Sequence, residues 1–267
     1  MQKAFIEKAI DKLKDDPQVL GLAVAGSWIT NEIDKFSDVD LILFTSEKIS
    51  GDKDMMMAYA QRFGKLLSAF TGEHVGEPRL LICLYDDPLL HVDIKFLTPE
   101  EYTSRIEDPV VVFERENVLT NLMKASKAQW PYPDYQWIED RFWTWVHYAT
   151  LKLGRGEDFE ALDFLSYVRS TVLAPLLQIK NRHLPRGLRK VETRLANEDF
   201  ETLKSTVASY DKQSLFTALE NSIALYRLLR KNLFGNDVQL QKTAEEKVME
   251  YLDTIKQKSF DPNEKSH

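Results

Sequence analysis

Three aspartates and a Gly-Ser pair carry the chemistry open to this sequence. Asp38 and Asp40 stand two residues apart in Ser37-Asp38-Val39-Asp40-Leu41, alternating with Val39, Leu41 and Leu43. On a strand, residues i and i+2 point to one side, about 7 Å apart at Cα. The two carboxylates are then aimed together while the apolar side chains face away. Like charges so placed repel, and a divalent cation held by carboxylate oxygens resolves the conflict. Asp93 sits likewise in His91-Val92-Asp93-Ile94-Lys95-Phe96, with Val92, Ile94 and Phe96 on the opposite face. If the two strands are neighbours, three carboxylates converge, an oxygen-rich set of the kind Mg²⁺ uses in phosphoryl and nucleotidyl transfer. Gly26-Ser27 follows the apolar run Val19 to Ala25 and precedes a short helical turn. Such a junction offers backbone N–H groups and a hydroxyl to an anion, and glycine lets a phosphate approach the backbone. Ser37 either adds a hydroxyl contact or makes a local bond at the strand start.

These residues need strands and helices to position them. Phe5, Ile6, Ala9, Ile10 and Leu13 give residues 3–15 helical spacing, ended by Pro17. Residues 19–25 and 39–45 read as strands, and 52–70 as a helix. Residues 79–85 and 91–97 read as an antiparallel hairpin across Asp86-Asp87-Pro88. Thr98-Pro99-Glu100-Glu101 has the pattern of a helix start. Trp130-Pro131-Tyr132-Pro133-Asp134 is a stiff joint, after which the signal is helical over 136–153, 157–180, 197–208, 213–233 and 237–257. The expected fold class is α+β: a small mixed sheet with flanking helices over 1–130, an all-α bundle over 131–257 and a polar, frayed tail over 258–267.

The 267 residues carry 35 Lys and Arg against 42 Asp and Glu, a formal charge of −7, with 43% hydrophobic residues. That balance excludes a disordered or fibrous chain. The negative charge weighs against a nucleic-acid or anionic-membrane partner. The one basic run, Lys180, Arg182, His183, Arg186, Arg189, Lys190 and Arg194, reads as a solvated connector. A single cysteine, Cys83, excludes an internal disulfide and a cysteine-rich zinc site, and its apolar surroundings predict burial. With no signal-peptide pattern at the start and no apolar run of about 20 residues, a cytoplasmic location is expected.

The order Ala25-Gly26-Ser27, ten residues, Asp38-Val39-Asp40-Leu41, then Val92-Asp93-Ile94 resembles the nucleotidyltransferase superfamily that includes DNA polymerase β and the antibiotic nucleotidyltransferases. The resemblance implies that Asp38 and Asp40 hold Mg²⁺ bridging a nucleoside triphosphate. Asp93 would complete the metal set or act as base, and Gly26 and Ser27, with Ser37 beside them, would cradle phosphates. The reaction implied is attack of an acceptor hydroxyl on the α-phosphorus of ATP or another triphosphate, with pyrophosphate leaving.

In the helical half, Arg141, Trp145, Tyr148 and Lys152 share one face of the first helix, which is followed by Gly154-Arg155-Gly156-Glu157. This resembles the C-terminal bundle of aminoglycoside and related nucleotidyltransferases. It implies that Lys152, and Arg155 after it, meet the triphosphate, which needs positive neighbours. His147 reads as packed or solvated, and His91 and Lys95 as ion-pair partners of the acids. Trp130, Tyr132, Tyr135 and Trp137 read as packing at the joint. The expected function is Mg²⁺-dependent transfer of a nucleoside monophosphate, AMP from ATP, to a hydroxyl of a small, aminoglycoside- or lincosamide-like molecule. A protein or tRNA acceptor, or a nucleotide-binding module without catalysis, are the alternatives.

Overall fold

The computed structural model describes residues 1–102 and 104–261. The chain forms two compact units, Met1–Trp130 and Pro131–His267. The first begins with helix α1 (Gln2–Leu13) and strands β1 (Val19–Val24) and β2 (Val39–Thr45). Helix α2 (Lys53–Gln61), strands β3 (Lys65–Gly72), β4 (Glu77–Asp86), β5 (Leu90–Leu97) and β6 (Val110–Glu114), and helix α3 (Val118–Ala125) follow. The six strands form one mixed sheet in the order β3-β4-β5-β2-β1-β6. Only β2 and β5 pair in parallel; the other neighbours are antiparallel.

Strand alternation decides what each face does. Val39, Leu41 and Leu43 of β2 and Val92, Ile94 and Phe96 of β5 bury themselves against Ile6, Ala9 and Leu13 of α1 and Met56, Tyr59 and Ala60 of α2. Cys83 lies in this core, where burial pushes its thiol up to about 12. The opposite face carries a smaller cluster, Ala23, Phe44, Leu97, Tyr102 and Leu119, with α3 packed on β1 and β6. Asp40 and Asp93 are on this second face.

Two expectations need correcting, and two elements were not expected. The helix expected over 52–70 ends at Gln61, and Lys65–Gly72 is an edge strand. Its apolar residues fit either period, and the non-local pairing of Leu66 with Tyr85 and Ala69 with Cys83 decides between them. The helix start at Thr98 yields a single turn, Glu100–Tyr102. There the Thr98 N–H donates to Glu101 Oε2 at 3.1 Å, and the Tyr102 ring packs edge-on against Phe44. β6, read from Val110-Val111-Val112-Phe113, and α3 had no counterpart in the sequence reading.

Among the described residues, the elements of the second unit are helices: α4 (Tyr135–Arg155), α5 (Asp158–Val168), α6 (Ala174–Lys180), α7 (Val191–Arg194), α8 (Asn197–Lys204), α9 (Lys212–Leu233) and α10 (Lys242–Ser259). Asp134 caps α4 by accepting the Trp137 N–H, and Gly156 (φ +73°) ends it in the left-handed conformation. The expected stripe Ile138, Phe142, Val146, Ala149 and Leu153 is buried. A π turn, Arg169–Leu173, joins α5 to α6 just before Pro175, whose missing N–H breaks the regular ladder. Glu139, fully buried, accepts from Arg230 Nη1 (3.1 Å), Trp143 Nε1 (3.3 Å), the Gln241 N–H (2.9 Å) and the Tyr226 hydroxyl. A buried charge persists only with partners of this kind. Tyr135 stacks on Phe234, and Trp137 packs against Trp145. The basic run is a connector in which Lys180 pairs with Asp199 and His183 contacts the Arg194 carbonyl. The expected frayed tail falls largely outside the described residues, and α10 continues through Ser259. Among the described residues no helix is long and apolar enough to cross a membrane.

Candidate active site

The parallel pairing of β2 with β5 sets Asp40 directly beside Asp93. Asp38, exposed, comes immediately before β2, and its charge reaches Asp93. The Asp93 carboxyl is pushed above its ordinary value, first by burial and further by Asp38, while His91 opposes the rise. Asp40 is thus placed by strand register beside Asp93, and Asp38 by its charge.

Gly26 has a role that the sequence reading missed. It is buried at φ +63°, and a Cβ placed there would lie 1.9 Å from Asp40 Oδ2. The Asp40 carboxylate thus rests against the Gly26 Cα, and Asp40 also accepts the Ala25 N–H at its backbone oxygen at 2.9 Å. Glycine is required here by the aspartate. Ser27, half-buried, lies in the one-turn segment Gly26–Trp28, and its backbone oxygen accepts the Glu32 N–H at 3.0 Å. Ser37 Oγ bonds the Asp34 N–H at 3.0 Å and Asp34 Oδ1 at 3.1 Å, a local turn before Asp38. Gln2, buried at the start of α1, fastens that turn by donating to the Asp34 and Ser37 carbonyls at 2.9 and 2.8 Å. Neither Gln2 nor Asp34 carried a sequence signal, because both act through backbone positions 32 to 35 residues apart or within a turn.

Along β5, His91 Nε2 meets Asp93 Oδ1 at 2.9 Å. Lys95, expected as a partner of the aspartates, instead pairs with Glu77 Oε2 at 2.7 Å. Arg79 grips the same carboxylate with Nε at 2.6 Å and Nη2 at 2.7 Å. Arg79, then Lys95, holds Glu77 down at about 2. Relative to 4.5 this corresponds to about 3 kcal/mol at 1.36 kcal/mol per pH unit, which partial solvent exposure reduces to about 1–2 kcal/mol. The contribution is full above about pH 4.5 and disappears as the pH falls toward 2. Glu77→Gln should therefore lower the thermal midpoint by roughly 2–6 °C at pH 7, with a gap roughly halved at pH 3. Equal gaps at both pH values would refute the ionic origin.

Lys152 and Arg155 belong to the second unit. Lys152 Nζ contacts Glu157 Oε2 at 2.5 Å and Glu160 Oε2 at 3.3 Å and lies 5.1 Å from the Tyr148 ring centre. Glu157 first, then Glu160, raises its pKa. Arg155 is exposed, 3.8 Å from Glu157. The charge of Lys152 is thus already matched by two acids, which an incoming phosphate would have to replace. His147 packs beside Tyr251.

The aspartates suit Mg²⁺ in donor type and charge: they are hard oxygen ligands. They do not form a closed cage. Among the described residues, no group of three or more His, Cys, Asp or Glu side chains is arranged to hold a metal ion.

No protein-family model matches this sequence, and no curated protein matches it. Solved structures do. The likeness is to nucleotidyltransferases. An aminoglycoside 6-adenyltransferase from Bacillus subtilis aligns over 96% of this chain and 98% of its own, at 18% identity and a TM-score of 0.41. A nucleotidyltransferase-like protein from Exiguobacterium sibiricum aligns over 96% and 89%, at 12% identity and a TM-score of 0.34. A spectinomycin adenyltransferase from Enterococcus faecialis, solved with ATP and spectinomycin, aligns over 96% and 98%, at 11% identity and a TM-score of 0.29.

Proposed function

We propose that this chain is a Mg²⁺-dependent nucleotidyltransferase that moves AMP from ATP to a hydroxyl of a small, aminoglycoside- or lincosamide-like molecule. The observation that carries the reading is the register of β2 on β5, which puts Asp40 beside Asp93 with Asp38 within electrostatic reach. Asp38 and Asp40 are the residues that would hold the metal, together with the phosphate oxygens of the nucleotide. A Mg²⁺ ion held there would supply positive charge against the triphosphate and the departing pyrophosphate. Gly26 and Ser27 stand next to this pair, as the resemblance in sequence implies for a phosphate cradle. A bond forms from the acceptor oxygen to the α-phosphorus, and the bond from that phosphorus to the pyrophosphate oxygen breaks. Asp93, whose pKa burial raises, is the carboxylate that takes the hydroxyl proton. Lys152 and Arg155 keep the nucleotide-binding part that the resemblance assigns them. The acceptor class rests on that resemblance alone.

Calorimetric titration with non-hydrolysable ATP, GTP, CTP and UTP analogues, with and without Mg²⁺, tests the reading. The ATP analogue is expected to bind in the micromolar to millimolar range with Mg²⁺ and far more weakly without it. Mg²⁺ alone is expected to bind weakly, since the aspartates do not close on an ion by themselves. Absence of Mg²⁺-dependent binding by all four analogues would remove the basis for a transferase.

A further inference from the structure

His91 lies on β5 with its imidazole half exposed and its Nε2 2.9 Å from Asp93 Oδ1. The neighbours of Asp93 show why this contact matters. Across the sheet, Asp93 is flanked by Asp40 on β2 and Ile82 on β4. One is an acid and the other is apolar, so neither side chain can donate a hydrogen bond to it. Along its own strand, the same-face neighbours are His91 and Lys95, and the Lys95 ammonium is engaged by Glu77 at 2.7 Å. His91 is thus the adjacent side chain on the sheet that holds an Asp93 oxygen.

We infer that His91 is a positioning residue for Asp93: by holding Oδ1 it fixes the carboxylate rotamer and leaves Oδ2 as the oxygen that works. The inference rests on the reading of Asp93 as part of a nucleotidyl-transfer site. Beside the Asp40 carboxylate, which offers Asp93 no donor, the imidazole N–H ties one oxygen and leaves the other for the chemistry. A donor that orients an acting side chain in this way is commonly worth about 10–100-fold in activity or metal affinity. An exposed ion pair with no such role contributes almost nothing.

Two variants and two readouts test this. His91→Ala removes the donor, and His91→Gln restores an N–H at nearly the same distance along the side chain. Pyrophosphate release is followed with Mg²⁺-ATP and kanamycin, streptomycin or lincomycin. Independently, Asp93 is labelled with a water-soluble carbodiimide and an amine, and the modified peptide is quantified by mass spectrometry. His91→Ala should lower kcat about 10–100-fold with KM for ATP within about threefold, and raise Asp93 labelling several-fold. His91→Gln should recover most of both. If His91→Ala keeps kcat within twofold of the parent, or leaves Asp93 labelling unchanged, the positioning role is wrong. If the parent protein turns over none of these acceptors, the transfer reading is what fails with them. The labelling then decides the positioning by itself: a rise reversed by Gln supports it, and no change overturns it.

Discussion

Asp40→Asn is expected to cut turnover about a thousandfold or more while the protein stays folded. The substitution keeps shape and removes charge. The Asn side chain fits where the carboxylate rests against Gly26, and the backbone bond from Ala25 to residue 40 is untouched. Packing therefore gives no reason for a large stability loss. Asp40 stands beside Asp93 in the strand register, and the amide keeps that position while removing the charge. Under the proposed reaction the same change removes a metal oxygen ligand. Metal stabilisation of a phosphoryl-type transition state is worth several kcal/mol, and 1.36 kcal/mol is tenfold in rate. The measurement is pyrophosphate release beside a thermal melt: activity gone and midpoint within a few degrees. Full Mg²⁺-dependent transfer by the variant would show that the aspartate pair had been misassigned.

How much of this was visible in the sequence differs from residue to residue. The strands of Asp40 and Asp93 were legible, because Val39-Leu41-Leu43 and Val92-Ile94-Phe96 alternate strictly and each alternation fixes which way the acid points. Their side-by-side placement was not. β2 and β5 are separated by α2, β3 and β4, and no local pattern states a parallel pairing across such a crossover. The same limit explains residues 65–72, where apolar spacing fits helix or strand until β4 supplies a partner. Gly26 stood out in the sequence as a place where a phosphate could approach the backbone. The structure adds a reason that depends on a residue 14 positions later. Lys152 is a different case. The resemblance assigns it a phosphate contact, and the structure adds what the resemblance does not state, that Glu157 and Glu160 pair with it. Sequence patterning reports what a backbone period imposes; it is silent on which oppositely charged side chain arrives from elsewhere.

Gly26→Ala is expected to damage both stability and activity, and the reason can be separated into two parts. The first is backbone strain. At φ +63° an L-residue costs about 1–2 kcal/mol relative to glycine. The second is the clash of a Cβ 1.9 Å from Asp40 Oδ2, far inside contact distance, so the carboxylate must turn away from its resting place. A displacement of this size at a reacting group costs about 100-fold in rate, so kcat should fall at least that far. A double-mutant cycle with Asp40→Ala divides the two parts. In the Asp40→Ala background the clash is gone, and Gly26→Ala should cost only the backbone strain. Gly51 is the control: it also has positive φ (+90°), but nothing lies within 4 Å of a Cβ built there. Gly51→Ala should therefore pay the strain and leave kcat unchanged. If Gly26→Ala behaved like Gly51→Ala, with activity intact, the Asp40 carboxylate would not need the place where Gly26 lets it sit, and its part in the reaction would fall with it.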